Sequence, residues 1–310
     1  MQRCAVFSCF GLGDGLITLV LANNLQLNGG VVTTFHPSLG AFKGWFPHHQ
    51  IRSFPPLEEM EAVLGQFDRF FIMYEKSAWM QAVLKLCHEK FREQTTVLNP
   101  IATPRRDYPY WEGGRFDGNC SFVENLYVFC KDVLGFAVVT KSNGIVFPET
   151  VRPRRFEKRV ILHPMSSREG KNWSRGKFLE LSKRLGAMGY MPAMILTQEE
   201  RVGWDLQGVE APLFANLSEM ASYVGESGYM IGNDSGIGHL ASCLGIPTLT
   251  ICRSAQVSRF WRPAWGSRGE VVTPSSWIPN VKGLRLRDKY WKRWVSVTKV
   301  LESFKRLGSI

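Results

Sequence analysis

Two stretches of this chain carry residue types that can hold an anion. In the first, a buried strand ends at Ile231, and Gly232 to Gly238 follows with three glycines beside Asn233, Asp234 and Ser235. Leu240, Ala241 and Leu244 then take helical spacing. A strand feeding a Gly/Asp/Ser loop that opens a helix aims free backbone N–H groups at one point, which suits a negative group. The second stretch, His163 to Trp173, combines the hydroxyls of Ser166 and Ser167 with the cations Arg168 and Lys171. Several charge-assisted donors converging on spread negative charge are what a diphosphate needs. The G-x-x-x-x-G-K-[ST] spacing of a P-loop is absent. The plain alternative for both stretches is a strand-to-helix turn with incidental charge.

A lone carboxylate, Asp14, sits in the Gly11-Leu-Gly-Asp-Gly15 loop after the first strand. Open α/β sheets bind ligands at that edge, and a carboxylate there can serve as a general base. It can equally be an acid that complements a helix N-terminus. Glu199 and Glu200 follow another strand at the same edge, where a carboxylate can accept from a ribose or simply start a turn. Ile101 to Gly118 mixes Arg105, Arg106 and Arg115 with Tyr108, Tyr110 and Trp111. Such a mixture can grip a sugar bearing acidic groups, or be a solvated loop.

The elements that must position these groups alternate strand and helix. Cys4–Phe10, Leu16–Leu27 and Val31–Phe35 read as a βαβ opening, and the pattern restarts at Val160–Leu162. This implies an α/β chain with parallel sheets covered by helices. Gly11-x-Gly13 begins like a dinucleotide fingerprint, but Leu16 stands where the third glycine belongs, and no acid follows about 20 residues on. His36 to Pro56, rich in Gly, Pro, His and aromatics, reads as a loop over the ligand edge. Phe147 to Arg159, with two prolines and five basic residues, reads as the linker between two domains. Lys282 to Arg306 reads as one basic amphipathic helix with Trp291, Trp294, Val295, Thr298, Leu301 and Phe304 in a stripe. Such a stripe packs on protein or lies on an anionic membrane.

The totals agree with a globular chain of about two domains: 310 residues, 45% hydrophobic and 21% charged. No apolar run reaches the ~18 residues of a membrane helix. Seven cysteines are scattered without C-x-x-C or Cys/His spacing, so neither a disulfide framework nor a metal site is expected, and a reducing cytoplasm is. A net charge of +11 calls for an anionic partner. With no nucleic-acid-reading motif, an acidic substrate or membrane surface leads over nucleic acid.

Three motifs together resemble the heptosyltransferases, glycosyltransferase family 9. They are Gly13-Asp14-Gly-Leu-Ile-Thr18, His163-Pro-Met-Ser166-Ser167-Arg-Glu-Gly-Lys171-Asn-Trp173, and Gly232-Asn233-Asp234-Ser235-Gly236-Ile-Gly-His239. The resemblance implies a GT-B architecture, two Rossmann-like domains facing across a cleft. Residues 1–150 would bind the acceptor, residues 151–288 the nucleotide sugar, and a C-terminal helix, 289–310, would cross back to the N-terminal domain. It implies an inverting, metal- and cofactor-independent transferase of lipopolysaccharide-core synthesis, moving heptose from ADP-heptose to an anionic lipid-linked saccharide. Such an enzyme is cytoplasmic and can sit peripherally on the inner membrane.

Carried over by residue, Asp14 is the base, Lys171 contacts the donor phosphate, and Ser166 and Ser167 bind the diphosphate. Asp234, Ser235, Gly236 and His239 form the donor loop, and Glu199 or Glu200 is the ribose acid. Gly13, Arg105, Arg106 and Arg115 are acceptor-side candidates. The pattern departs from the family where a Phe-Gly-Pro-Thr-like stretch is replaced by Ile251-Cys-Arg-Ser254. A non-catalytic nucleotide-sugar or glycan binder and a nucleotide-sugar epimerase are the rival functions on such a fold.

Overall fold

The computed structural model describes residues 1–98, 116–266, 268–281 and 284–308. The chain divides into two compact units, Met1–Val146 and Phe147–Ile310. Arg105, Arg106 and Arg115 lie outside the described residues. Among the described residues, no helix is long and apolar enough to cross a membrane.

The first unit runs β1 (Arg3–Phe7), α1 (Leu12–Leu27), β2 (Val31–Phe35), β3 (Gln50–Arg52), α2 (Met60–Leu64), β4 (Arg69–Met73), α3 (Ala78–Lys90), β5 (Thr95–Leu98) and α4 (Phe122–Val128). Its five strands are all parallel, in the order β3-β2-β1-β4-β5. The four residues Cys4–Phe7 are buried without alternation, as a strand covered on both faces must be. Phe7 stacks on Phe35 of the neighbouring strand, with ring centroids 4.6 Å apart.

Two expectations are corrected here. Helix α1 begins at Leu12, so Gly13, Asp14 and Gly15 occupy its first turn rather than a loop. Gly11 is the extended N-cap, and its carbonyl accepts from Gly15 N–H at 2.9 Å, which closes that first turn. The stretch from His36 to Pro56 is not all loop. It contains β3, whose three-residue, mostly polar sequence at the sheet edge gives no periodic signal.

The second unit runs β6 (Phe156–His163), α5 (Arg175–Ala187), β7 (Met191–Met194), α6 (Leu217–Gly225), β8 (Ser227–Asn233), α7 (Gly236–Cys243), β9 (Thr248–Ile251), α8 (Ala255–Trp261), β10 (Gly269–Val272), α9 (Leu286–Lys289), α10 (Trp291–Trp294) and α11 (Val297–Gly308). Its strands are also parallel, ordered β10-β9-β8-β6-β7. Two parallel-sheet α/β units are the composition of a GT-B protein.

Val297, Val300, Leu301, Phe304 and Leu307 are buried in one cluster with Val160, Leu162 and Ile231 of the second unit's sheet. The end of the chain differs from expectation in that residues 284–306 do not form one helix. At Val295 the backbone turns extended (φ −95°, ψ 104°), and a new helix starts at Val297 behind Ser296, whose hydroxyl accepts from Lys299 N–H at 3.1 Å. The break frees the Val295 carbonyl, which receives Trp173 Nε1–H at 3.0 Å and the Lys177 ammonium at 2.8 Å. Lys177 also donates to the Lys292 carbonyl at 2.6 Å, so one cation serves the end of α10. Trp294 and Thr298 fall on the exposed side of the break. The apolar stripe therefore fills the core and leaves mainly charge outside.

Phe304 meets Tyr190 and Tyr229 edge-on, each at 5.0 Å between centroids. Phe304→Ala is expected to cost about 3–5 kcal/mol. Hydrogen exchange should show lost protection in β6–β9, with β1–β5 unchanged; a loss confined to β1–β5 would contradict this packing.

Candidate active site

Each sheet reverses its strand order once, and the candidate residues Asp14, Lys171 and Asp234 lie at those reversals. In the second unit the chain steps from β6 outward to β7, then returns to β8 on the other side of β6. Loops leaving the C-terminal ends of β6 and β8 therefore diverge and open a crevice, the usual ligand position in open α/β sheets. The loop after β6 carries Ser166, Ser167, Arg168 and Lys171. The loop after β8 carries Asp234 and Ser235.

Asn233 ties the two loops together. The residue is 1% exposed at the end of β8. Its Nδ2 donates to the Pro164 carbonyl at 2.6 Å, and its Oδ1 accepts from Trp173 N–H at 3.0 Å. One amide thus grips both ends of the 164–173 loop. Within that loop the Ser166 hydroxyl lies 2.7 Å from Asn172 Oδ1 and 3.0 Å from the Arg168 carbonyl. A short turn at Glu169–Lys171 then presents Lys171.

Lys171 Nζ meets Asp234 Oδ2 at 2.8 Å. The carboxylate is largely buried and the ammonium partly open, at 14% and 38% side-chain exposure, so the pair presents its positive end outward. An ammonium has three donors, and Asp234 takes one. The pair lines a cavity of about 130 Å³ with Arg168, Cys252, Arg253 and Ser254. Ser235 is the N-cap of α7, yet its hydroxyl makes no capping bond and is buried without a protein partner. The first N–H groups of α7 at Gly236, Ile237 and Gly238 precede the intrahelical bond from His239 N–H to the Ser235 carbonyl at 3.4 Å.

His239 sits deeper than the rest. It is 5% exposed and edge-on to Trp265, with centroids 5.8 Å apart. Burial holds it neutral and pushes its pKa down to about 4. It lies buried within α7, behind Asp234 and Ser235. Ser167 and Glu199 are exposed. Glu200 is committed locally: its carboxylate accepts from Thr197 N–H at 2.9 Å, while Thr197 Oγ1 accepts from Glu200 N–H at 3.2 Å. That reciprocal capping box leaves Glu199 as the acid of this turn that faces solvent.

In the first unit the reversal lies between β1 and β4, and Asp14 sits there. A β-carbon on Gly11 would lie 2.5 Å from Asp14 Oδ2, so the carboxylate rests directly over Gly11. Beneath the turn, His36 is 1% exposed. Its Nδ1 accepts from Ser38 and Leu39 N–H, both at 3.0 Å. Nε2 therefore carries the proton and donates to the Gly11 carbonyl at 3.2 Å. A β-carbon on Gly15 would strike the His36 ring at 2.5 Å. The glycines on either side of Asp14 thus admit a carboxylate above and an imidazole below. Glu75, just after β4, accepts from Phe10 N–H at 2.8 Å. Burial, with the Asp14 and Glu75 carboxylates nearby, pushes the Cys9 thiol far above its usual range. Glu75 is therefore a second acid close to Asp14; the sequence shows it only as the residue two past a short strand.

Residues 148–290 match the model of glycosyltransferase family 9, the heptosyltransferases. That match lies within the second unit. The whole chain is similar in fold to solved structures of low sequence identity. The glycosyl transferase family 9 structure from Veillonella parvula superposes with a TM-score of 0.71 at 15% identity, covering 99% of this chain and 97% of that one. The E. coli ADP-heptose lps heptosyltransferase II gives 0.68 at 14%, covering 99% and 98%. E. coli heptosyltransferase WaaC with ADP gives 0.68 at 13%, covering 99% and 100%. No curated protein matches by sequence.

Two outcomes follow from this geometry. Asn233→Ala should release the 164–173 loop, leaving two buried backbone groups unpaired at about 1–3 kcal/mol each. Loop amides at 165–172 should then exchange faster, while α5 stays protected. The second outcome concerns acid. His36 and His239 have pKa values near 4 in the folded chain, against 6.5 unfolded. The unfolded chain binds more protons between those values, so stability is full above pH 6.5 and falls as pH drops toward 4. The slope should be about 1.4 kcal/mol per pH unit for each histidine. Thermal melts from pH 7 to 4.5 check this, and His36→Asn should reduce the slope by one histidine's share, with buried His49 of the same unit, also near 4, keeping its own.

Proposed function

We propose that this chain is an inverting sugar transferase that takes its donor as a nucleoside diphosphate sugar, with heptose on ADP as the first donor to try. The observation that carries the reading is the Lys171–Asp234 pair at 2.8 Å, made by loops from β6 and β8 at the strand reversal within the stretch that matches family 9. Solved structures of similar fold are described with ADP and with ADP-2-deoxy-2-fluoro heptose bound.

In this reading the leaving diphosphate meets the two remaining Lys171 donors, the Ser166 and Ser167 hydroxyls, and the N–H groups opening α7 at Ser235 and Gly236. Asp234 holds the ammonium in place. Glu199 is the solvent-facing acid for the ribose, and Asp14 takes the proton from the acceptor hydroxyl as that oxygen attacks the anomeric carbon. The bond from the anomeric carbon to the diphosphate oxygen breaks as the new glycosidic bond forms, and the positive end of the Lys171 site stabilises the departing charge. The acceptor proposed is an anionic saccharide on a lipid, met in the cytoplasm at the inner membrane surface. The net charge of +11 and the exposed cations Lys289, Arg293, Lys305 and Arg306 suit that surface electrostatically.

Donor consumption with and without a lipid-linked acceptor tests the proposal. Asp14→Asn should lower turnover by ~10²–10⁴. Lys171→Ala should lower it by ~10²–10³ and weaken donor binding. Near-normal turnover in either variant removes that residue's role. Binding without consumption indicates a carrier rather than an enzyme, and acceptor-independent conversion to an isomer indicates an epimerase.

A further inference from the structure

Arg253 follows β9 by two residues and is exposed. It stands in the Ile251–Ser254 stretch where this chain leaves the family pattern. The backbone just before it is pinned, because Cys252 N–H donates to the Val272 carbonyl at 2.9 Å. The residue lines three cavities. One is the 130 Å³ cavity that holds Lys171 and Asp234. A second, of about 500 Å³, is lined by polar groups including Ser254, Gln256, Ser275 and Asn280. A third, of about 380 Å³, lies against Gly170 and Trp291.

Charge balance around the first cavity shows what such a residue can do. Lys171 is already neutralised in part by Asp234. A diphosphate diester carries one negative charge on each phosphate, so Lys171 alone leaves it under-compensated. Arg168, Lys171 and Arg253 against Asp234 leave a surplus of +2. Asp288 borders the two flanking cavities with Arg253, but no ion pair joins them among the described residues. Arg287, Lys289, Lys292 and Arg293 surround Asp288 on the same walls and offset it. The Arg253 fork, with five donors, is thus left for a ligand and matches phosphate geometry.

We propose that Arg253 is a second cation of the donor site, gripping the diphosphate beside Lys171 at a position where the related pattern has no charge. This rests on the donor-site reading above. Isothermal titration of the full chain with ADP, inorganic pyrophosphate and adenosine tests it, using wild type, Arg253→Gln and Arg253→Lys at two salt concentrations. Arg253→Gln should weaken ADP and pyrophosphate by about 10–100-fold, the loss of one charged hydrogen-bonding partner. Adenosine binding should not change, Arg253→Lys should recover part of the loss, and the salt dependence of ADP binding should fall in Arg253→Gln. Equal ADP affinity in wild type and Arg253→Gln overturns this inference and leaves the donor site standing. An equal loss for adenosine assigns Arg253 a merely structural role and also overturns it. No diphosphate binding by wild type removes both readings.

Discussion

The second unit's chemistry depends on a single buried amide. Asn233 ends β8, and its two polar atoms close on the two ends of the loop from β6. Without that clamp, the diverging loops of a strand reversal have no reason to stay in register. With it, Lys171 is delivered to Asp234 from a short turn rather than from a free surface loop. An ion pair on exposed loops contributes little to stability. Here the order is reversed: the amide and the strands determine the geometry, and the ion pair is the result.

The first unit reaches a similar end by other means. Its carboxylate rides on the first turn of α1, and the constraint comes from absent side chains. Gly11 and Gly15 allow Asp14 Oδ2 and the His36 ring into space that a β-carbon would occupy. His36 stays neutral because two backbone amides occupy Nδ1 and burial disfavours charge. A charged imidazole there would have to break those contacts, so the turn under Asp14 does not titrate with the solvent near neutral pH.

What the sequence makes legible follows from range. Strand–loop–helix order, the parallel sheets and the two anion-suited loops are local patterns, and the structure places Lys171 of one loop 2.8 Å from Asp234 of the other. The helix broken at Val295 was not legible, because its cause is distant: Trp173 and Lys177 draw the Val295 carbonyl out of the helix. The stripe of 282–306 predicted burial correctly for Trp291, Val295, Leu301 and Phe304. Asn233, Glu75 and Arg253 were passed over for the same reason. An amide, an acid and an arginine have no periodicity, and only their partners, or the lack of one, give them meaning.

The covering of the second sheet by α11 sets an order of events during synthesis. Residues 1–146 contain every strand of their own sheet and can close while the ribosome is still reading the rest. The sheet of β6–β10 has Val160, Leu162 and Ile231 only partly covered, by Phe178, Leu181 and Leu185 of α5, until Val297 to Leu307 emerge. Exposed apolar strand faces are where nascent chains aggregate or recruit chaperones. The second unit therefore matures after the first, and its vulnerable interval lasts until α11 leaves the exit tunnel.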